Sequence, residues 1–342
     1  MTGLSPIISI ITPSYNRADE LGYLYNSLKN QTIDKKLFEF IISDDGSTDD
    51  TEKIVKSWQS ESEFKIKFIK QKNQGPGSAR NHGLKNVSGK IILFIDSDCE
   101  AHPDWIKTIY NAFQNEKIDA FGGPDMAKED FEPLQKAIDF AMTSFFTTGG
   151  MRGHSDNMMA KFFPRTHNMG IRKNLYDKIG GFGDLRHGQD IEFSNRMRQS
   201  GANIKFIIGA IVYHRRRTTL KQFFKQVFNW GVARINLAKI DKNMLELIHF
   251  IPSLAVIIFS IISIVFFISD IPGYFSLVIF LPLICLSIFG AIKRKDIRIF
   301  HLLIIVIPAQ IFGYGLGFIV NFINRFIFKR DSWTGFIKKY YD

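Results

Sequence analysis

Lys90–Asp98 has the sequence KIILFIDSD, an unbroken apolar run followed by two aspartates one residue apart. A short run that is apolar on both faces is typical of a strand buried inside a parallel sheet. Asp96 and Asp98 therefore stand where a buried strand reaches the edge of its sheet. Carboxylate oxygens on a rigid element suit Mg²⁺ or Mn²⁺ shared with a diphosphate, and a solvated strand end is the simpler structural explanation.

Three similar runs precede this one and alternate with helical patterns. The β-rich runs are Ile7–Thr12, Phe38–Asp44, Ile66–Lys70 and Ile91–Asp96. Such alternation predicts an α/β fold with a mostly parallel sheet and helices on both faces. Ligands of an open α/β sheet bind at the carboxyl ends of its strands. We therefore expect the functional site among the polar residues that follow these strands.

Polar residues with chemical potential follow several of the predicted elements. Asp44 and Asp45 precede a turn, and a carboxylate there can accept a hydrogen bond from a nucleotide base or ribose. Arg80 lies in the first turn of the helix opened by Gly75–Gly77, a place that attracts phosphate. Asp190 opens another helical pattern and is a candidate general base. Each feature also has a structural explanation, as a turn, a surface arginine or a helix cap.

Length, charge and cysteine content limit the class of protein. The 342 residues suffice for one large α/β domain with an appendage. Cys99 and Cys285 lie in different contexts and predict no disulfide, which favours a reducing compartment for the catalytic part. The formal charge of +11 comes with basic clusters beside apolar stretches, which favours membrane lipids over nucleic acid as partners. The first apolar run is too short for a secretory signal.

The chain changes character after His214. In 216–243, apolar and basic residues alternate at helical spacing, which predicts an amphipathic helix in the membrane interface, with packing on the catalytic domain as the alternative. A transmembrane region is predicted at 244–342, and a turn at Asp270–Pro272 connects the first two of its spans. Its three apolar segments are long enough to cross a bilayer and cover 247–269, 273–292 and 299–323.

Basic residues predict the orientation of these spans. Lys293–Lys295 and Arg298 mark a cytoplasmic loop between the second and third segments. We therefore expect an integral membrane protein with its catalytic domain on the cytoplasmic face, as in a bacterial inner membrane. Lys329 and Arg330 oppose a full crossing by the third segment, and Pro308 with the glycines after it is compatible with a straight or a re-entrant path.

Five short segments occur in the order found in a known family. They are Thr12–Arg17, Asp44–Asp49, Gly77–Gly83, Asp96–Asp98, and Gly181–Phe182 with Gln189–Asp190. Through these segments the chain resembles the family 2 glycosyltransferases of GT-A fold, from Ile8 to about Arg234. The basic stretch at His214–Arg217 and the terminal spans resemble the membrane-anchored exopolysaccharide-type members.

The resemblance implies a role for each matched position. Asp98 would bind the metal ion, and Asp190 would be the catalytic base. The residues that bind the donor would be Pro13, Ser14, Tyr15, Asp45, Arg80 and Asp96. The residues on the acceptor side would be Gln189, Asn168 and Trp230. Within a catalytic domain at 1–215, residues 1–121 would bind the nucleotide, and 122–215 would form loops and short helices that hold the acceptor.

The implied reaction is a single displacement with inversion at the anomeric carbon. A nucleotide-diphosphate sugar, expected to be a UDP-sugar, would donate to a hydroxyl of a lipid-linked or cell-envelope saccharide, with Mn²⁺ or Mg²⁺ on the leaving diphosphate. One alternative is a polyprenyl-phosphate glycosyltransferase. Another is a processive polysaccharide synthase, which Asn229 disfavours because such synthases carry Arg there. The non-enzymatic alternative is an inactive nucleotide-sugar-binding membrane scaffold.

Overall fold

The computed structural model describes residues 5–128, 130–149, 161–215, 217–268 and 275–336. They form two compact units. The first contains the residues up to Met126 together with Phe162–His214, and the second contains Ala127–Lys161 and Arg215–Lys338. This division differs from the continuous catalytic part predicted at 1–215, because Ala127–Lys161 packs with the C-terminal helices.

A seven-stranded sheet forms the centre of the first unit. In spatial order its strands are β3 (Lys65–Lys70), β2 (Phe38–Asp44), β1 (Ile8–Ser14), β4 (Ile91–Phe94), β8 (Met169–Arg172), β6 (Ala120–Gly122) and β9 (Ile204–Phe206). All pairs are parallel except those of β8, which is antiparallel to both of its neighbours. The predicted α/β class and the four predicted strands are confirmed, with small differences at their ends.

The prediction for residues 122–215 was incomplete. Loops and short helices were expected there, yet β8 lies inside the sheet between β4 and β6. This strand has only four residues, and its Gly170 lies so close to Leu93 and Phe121 that an added Cβ would be 2.6 Å from each of their side chains. A strand this short has no periodicity that a sequence pattern can reveal.

Helices cover both faces of the sheet, as predicted. They are α1 (Ala18–Lys29), α2 (Thr51–Glu61), α3 (Pro76–Leu84), α4 (Trp105–Asn115), α7 (Lys173–Ile179) and α8 (Gln189–Gln199). Strand β1 alternates between two cores. Ile8 and Ile10 pack with side chains of α1, α2 and α4, whereas Ile11 packs with Leu84, Leu175 and other side chains of α3, α7 and α8. Burial on both faces explains why its sequence is apolar throughout.

A small second sheet lies in the same unit and positions part of the site. It contains β5 (Cys99–Ala101), β10 (Val212–His214) and β7 (Asp125–Met126), with β10 in the middle. Strand β10 runs antiparallel to β5 and parallel to β7. The register places His214 opposite Cys99, and therefore next to Asp98.

The second unit is helical. Its helices are α5 (Pro133–Thr143), α6 (Phe145–Thr148), α9 (Leu220–Ile240), α10 (Ile251–Ile268), α11 (Phe275–Lys293) and α12 (Ile299–Phe322), the last continued by a π-helical turn at Ile323–Ile327. Buried side chains of α5, including Ile138 and Phe140, share a core with Leu303 and Val306 of α12. This core explains why Ala127–Lys161 groups with the C-terminal helices.

Helix α9 corresponds to the predicted amphipathic helix, and its apolar face is in contact with protein. Phe223 and Val227, which the prediction directed into lipid, are fully buried in the core shared with α5 and α12. Lys221 and Lys225 are exposed. The lipid-facing assignment of these apolar side chains is corrected to helix packing, and a place for α9 at the membrane interface stays a prediction.

Two helices among the described residues are long and apolar enough to cross a membrane, Leu247–Phe266 and Ile299–Ile327. The second predicted segment corresponds to α11, and its Phe280–Lys293 part forms a shorter apolar helix. The predicted turn at Asp270–Pro272 lies outside the described residues. Helix α10 exposes most of its apolar side chains, as a helix in lipid would. The exposed apolar side chains of α10 include Leu254, Ile257, Ile258, Ile261, Ile264 and Val265.

Helix α12 is unbroken despite Pro308, which agrees with the straight path for the third segment and not with a path broken at the proline. Its glycines serve close packing. A Cβ on Gly317 would be 2.1 Å from the carbonyl oxygen of Phe228 in α9, and one on Gly315 would be 2.5 Å from that of Pro252 in α10. Small residues let apolar helices approach closely where the hydrophobic effect is weak.

The basic residues of the predicted cytoplasmic loop are partly neutralised within the second unit. Arg294 forms an ion pair with the fully buried Asp139 of α5 and donates to the Thr143 hydroxyl at 2.9 Å. Arg298 pairs with Asp296 at 2.8 Å. Part of the basic charge assigned to lipid headgroups therefore binds helix α5 and the start of α12.

Candidate active site

The loop that opens α3 is held by Asp45. Its carboxylate accepts hydrogen bonds from the backbone N–H of Gln74 at 2.9 Å, the N–H of Gly75 at 2.7 Å and the side-chain amide of Gln71 at 2.7 Å. Gly75 has φ 92°, a conformation that favours glycine, and Pro76 follows in the first turn of α3. A carboxylate offers about four acceptor sites, so these donors leave room for one further bond from a nucleotide base.

The carboxyl ends of β1 and β2 lie side by side. Ser14 pairs with Asp44 in the register of these strands, and the Asp45 N–H donates to the Ser14 carbonyl at 2.8 Å. Pro13 and Ser14 are buried, whereas Tyr15 is half-buried just beyond the strand. The three predicted donor residues of this segment therefore lie beside the Asp45 loop.

Arg80 and Asp96 form an ion pair at the carboxyl end of β4. The distance from Arg80 Nη2 to Asp96 Oδ1 is 2.6 Å, and the guanidinium lies 5.7 Å from the centre of the Phe182 ring. The arginine side chain is nearly buried, whereas the aspartate is about one quarter exposed. The pair thus brings two predicted donor residues to one place.

Asn81 connects α3 to the loop that precedes α8, a role that the sequence prediction missed. Its side-chain oxygen accepts the Phe182 N–H at 2.7 Å, and its amide donates to the Phe182 carbonyl at 2.9 Å. A Cβ on Gly181 would lie 2.3 Å from Asn81 Oδ1, so only glycine fits there without a shift. These two hydrogen bonds hold the Ala79–Asn81 and Gly181–Phe182 segments next to each other.

Two aspartates and two histidines, Asp98, His214, Asp125 and His167, form a contiguous row of side chains at β10. His214 Nε2 lies 3.3 Å from Asp98 Oδ1, and His214 Nδ1 lies 3.6 Å from Asp125 Oδ2. His167 Nε2 lies 3.7 Å from the same Asp125 oxygen, and the two imidazole rings are 5.0 Å apart. The sequence prediction missed Asp125, His167 and the candidate ligand His214. The places of Asp125 and His214 follow from the pairing of β10 with β5 and β7, which has no sequence signature.

Three residues at this place offer ligand atoms that fit a divalent ion. Potential ligand atoms of Asp98, Cys99 and His214 lie within 4.8 Å of one another. Mn²⁺ accepts both carboxylate oxygen and imidazole nitrogen, and Asp98 and His214 offer these on adjacent strand ends. The residues present therefore fit Mn²⁺, with Mg²⁺ better matched to the carboxylate than to the imidazole.

Asp190 opens α8, immediately after Gly188 with φ 82°. Its Oδ1 accepts the Ile191 N–H at 2.9 Å, and its Oδ2 lies 3.3 Å from Arg165 Nη1. Burial alone would raise the pKa of Asp190, but the Arg165 charge and the hydrogen bond from the Ile191 N–H lower it below its usual value. Asp190 is therefore ionised at neutral pH.

His167 links the predicted base to the metal-ligand candidates. Burial lowers the pKa of His167, against the opposing influence of Asp125, so this imidazole is neutral at pH 7. His167 lies within electrostatic reach of Asp96 and of Asp190, and its ring lies beside that of His214.

Gln189 and Asn168, predicted on the acceptor side, occupy other places. Gln189 lies against Gly77, where an added Cβ would be 2.3 Å from its Nε2, and so it adjoins the glycine-rich turn of α3. Asn168 is buried, accepts from Trp105 Nε1 at 3.0 Å and donates to the carbonyls of Pro124 and Ala210. These bonds give the side chain of Asn168 a structural role, and acceptor-side roles for Asn168 and Gln189 stay predictions.

Trp230, the third predicted acceptor residue, lies on α9 in the second unit. It is half-buried against the core that α9 shares with α5 and α12. Its packing is that of a bundle residue, and a role in acceptor binding stays a prediction.

Substituting Asn168 should destabilise the protein without a specific effect on acceptor binding. Asn168→Ala leaves the Trp105 N–H and two buried carbonyls without this partner, so we expect a loss of about 3 kcal/mol or more in unfolding free energy. Denaturant unfolding of the full chain in detergent measures it, with Asn203→Ala as an exposed control that loses one bond to the Lys117 carbonyl. Wild-type stability with a raised acceptor KM would contradict the structural role.

Known proteins support the same fold and family. The family model described as "Glycosyl transferase family 2" matches residues 9–180, which is just over half of the chain. Glycosyltransferase AglE of Haloferax volcanii is 26% identical over 247 residues, covering 72% of this chain and 79% of AglE. Poly(ribitol-phosphate) beta-N-acetylglucosaminyltransferase TarS of Staphylococcus aureus is 36% identical over 99 residues, covering 29% of this chain and 17% of TarS.

Two solved structures resemble the chain over most of its length. The mannosyltransferase PcManGT from Pyrobaculum calidifontis, in complex with GDP-Man and Mn²⁺, has a TM-score of 0.63 at 14% identity and covers 91% of this chain and 87% of its own. S. aureus TarS 1-349 in complex with UDP-GlcNAc has a TM-score of 0.50 at 18% identity and covers 97% and 94%. These likenesses confirm the GT-A fold. With the family match, they place this chain among the family 2 glycosyltransferases, to which it belongs.

Proposed function

We propose that the chain transfers a sugar, with inversion, from a nucleotide-diphosphate sugar to a hydroxyl of a lipid-linked or cell-envelope saccharide. The observation that carries the proposal is the arrangement around His167. His214 lies 3.3 Å from Asp98, its ring is 5.0 Å from that of His167, and His167 in turn lies within electrostatic reach of the ionised Asp190. In such a site, Asp98 and His214 would stabilise the leaving group through a bound ion, and Asp190 would activate the attacking hydroxyl.

The donor would bind across the ends of β1, β2 and β4. Asp45 has capacity for a base N–H, and Arg80 with Asp96 lies where ribose and diphosphate would be held. PcManGT binds GDP-Man and TarS binds UDP-GlcNAc, so relatives of this fold use nucleotide sugars of both base types. We propose a UDP-sugar here, because TarS 1-349 was solved in complex with UDP-GlcNAc.

Asp98 and His214 would hold the divalent ion. When bound, Mn²⁺ or Mg²⁺ supplies positive charge that stabilises the diphosphate as it leaves. The PcManGT complex contains Mn²⁺. The protein's own contribution is to keep two ligand atoms on adjacent strand ends, so that little reorganisation is needed.

Asp190 would take the proton of the attacking hydroxyl. Arg165 keeps the carboxylate ionised, and the Ile191 N–H fixes its orientation at the start of α8. We propose that the hydroxyl attacks from the side opposite the leaving diphosphate, which gives inversion in a single displacement. The name of TarS specifies a phosphate-containing polymer as its acceptor, and we propose an envelope or lipid-linked saccharide for this chain.

The apolar helices would anchor the enzyme at the cytoplasmic face of a bacterial inner membrane. Two of them have the length and composition of spans, and α10 exposes an apolar surface. A lipid-linked acceptor would then remain in the same membrane as the enzyme.

A thermal-shift panel of nucleotide sugars, with and without Mn²⁺, tests the proposal. We expect one UDP-sugar to stabilise the full chain by about 2.7 kcal/mol at 100 times its Kd, because a ligand that binds only the folded state stabilises it. Most of this stabilisation should require Mn²⁺. GDP-, CMP- and TDP-sugars serve as matched controls.

Two outcomes would contradict the proposal in different ways. Stabilisation by no nucleotide sugar would remove the donor assignment. Stabilisation by a donor that is never transferred or hydrolysed in the presence of Mn²⁺ and envelope extract would favour an inactive nucleotide-sugar-binding scaffold.

A further inference from the structure

Asp125 is a buried carboxylate that faces a candidate metal ligand from behind. Its side chain is 2% exposed, and its Oδ2 lies 3.6 Å from Nδ1 of His214. The other ring nitrogen of His214, Nε2, lies 3.3 Å from Asp98. The imidazole therefore stands between two carboxylates, one at the candidate metal site and one in the interior.

The backbone fixes this arrangement. Strand β10 lies between β5 and β7, and its register pairs His214 with Cys99 and Val212 with Asp125. Because β10 pairs with β5 and β7 in one sheet, Asp125 in β7 and Asp98 in the turn that leads directly into β5 are held near the imidazole. Rigid support of this kind is what a metal ligand needs to keep its geometry.

The two nitrogens of a neutral imidazole are not equivalent. One carries the proton and the other carries the lone pair that binds metal. A proton on Nδ1 faces the Asp125 carboxylate favourably and leaves the Nε2 lone pair toward Asp98. The opposite tautomer would direct a lone pair at the buried Asp125 carboxylate, which is repulsive. The lone pair of the first tautomer instead faces Asp98 at the candidate metal site, where a bound cation would attract both the lone pair and the carboxylate. Asp125 thereby favours the tautomer that can bind a metal ion.

We propose that Asp125 is a positioning residue that fixes the tautomer and ring orientation of His214 for divalent-metal binding. This inference rests on the proposed metal site and adds a residue that does not contact the ion. Partner carboxylates of this kind change metal affinity through the histidine that they orient.

His167 approaches the same oxygen of Asp125, and this observation suggests a different arrangement. Asp125, His167 and His214 offer ligand atoms within 4.8 Å of one another, so Asp125 could itself bind a metal ion. The two arrangements differ in one respect. A positioning residue acts only when His214 is present, whereas a direct ligand acts with or without it.

Mn²⁺ titration of the full chain in detergent, followed by electron paramagnetic resonance of the free ion, separates them. We expect Asp125→Ala to weaken Mn²⁺ binding by about 10- to 100-fold in the wild-type background. In the His214→Ala background the same substitution should change affinity by less than about 2-fold, because the two residues act as one unit. Asp119→Ala, which removes a half-buried carboxylate that accepts the Asn203 N–H, is the matched control and should bind Mn²⁺ normally.

Asp125→Asn provides a conservative variant that keeps an acceptor oxygen at the same place. It should retain more Mn²⁺ affinity than Asp125→Ala, which a role in direct ligation by charge would not predict. If neither variant folds, the ¹⁵N-histidine spectrum of the Mg²⁺-saturated wild type decides the question. His214 should carry its proton on Nδ1, and a proton on Nε2 would overturn the inference.

The remaining outcomes are distinct from failure of the proposed function. Normal Mn²⁺ affinity in Asp125→Ala, or an equal loss in both backgrounds, overturns the positioning role and leaves the enzyme assignment standing. Absence of Mn²⁺ binding by the wild type overturns both the positioning role and the proposed metal site.

Discussion

Asp190→Asn is expected to lower the rate of sugar transfer by about 10²- to 10⁴-fold, the usual contribution of a general base. The substitution keeps the size of the side chain and an oxygen for the Ile191 N–H, but removes the group that takes the proton. Arg165 holds the pKa of Asp190 below its usual value, so the wild-type base is already ionised at neutral pH. Initial rates at saturating donor and acceptor measure the effect.

The control for this variant is another aspartate of the first unit. Asp177, about half exposed and paired with Lys173, should tolerate Asp177→Asn without a change in rate. Near-normal turnover of Asp190→Asn would contradict base catalysis. It would favour a polyprenyl-phosphate acceptor, whose attacking oxygen is already an anion and has no proton to lose.

Asp98→Ala is expected to reduce transfer by about 10²-fold or more, because a bound cation contributes several kcal/mol of charge stabilisation to the transition state. Part of the loss should be recovered at high Mn²⁺ concentration if His214 still binds the ion weakly. Rates measured over a range of Mn²⁺ concentrations test this. His214→Ala should also lower the transfer rate, because His214 Nε2 lies 3.3 Å from Asp98 Oδ1 and both would bind the ion.

Metal-independent activity would contradict the role of Asp98. Wild-type turnover that persists in EDTA at its full rate, together with a normal rate for Asp98→Ala, would show that the Asp-x-Asp segment serves another purpose. The exposed ion pair of Lys56 and Glu52 offers a control, because Glu52→Ala removes a carboxylate from the same unit with little expected effect.

The four parallel strands could be predicted because their chemistry is local. Each of β1, β2 and β4 is buried along its whole length, and a strand buried on both faces must be apolar throughout. Strand β8 could not be predicted, because four residues carry no period and its place is decided by pairing with β4 and β6. The grouping of Ala127–Lys161 with the C-terminal helices likewise depends on long-range packing.

The site was predictable to the extent that its residues end local elements. Asp98 follows strand β4, and Asp190 lies in the first turn of helix α8. His167 lies beside His214, the neighbour of Asp98, and within electrostatic reach of Asp190. His214 and Asp125 were missed because only the register of a small three-stranded sheet places His214 beside Asp98 and Asp125 beside His214. A lone histidine after a short strand gives no sign of its neighbours.

Asn168 has a packing role that the sequence did not indicate. Its amide bonds to Trp105, Pro124 and Ala210 in the interior. These partners lie far from Asn168 in the sequence, so no local pattern reveals them. An acceptor-side role for Asn168 stays a prediction.

The central claim is that two sets of side chains in one site perform separate tasks, with Asp98 and His214 holding the ion and Asp190 taking the proton. Mn²⁺ titration of the wild type, Asp98→Ala and Asp190→Asn tests it most directly. The account predicts that Asp190→Asn binds Mn²⁺ and nucleotide like the wild type, although it fails to transfer, while Asp98→Ala loses Mn²⁺ affinity. Equal Mn²⁺ binding by Asp98→Ala and the wild type, or its loss in Asp190→Asn alone, would contradict the account.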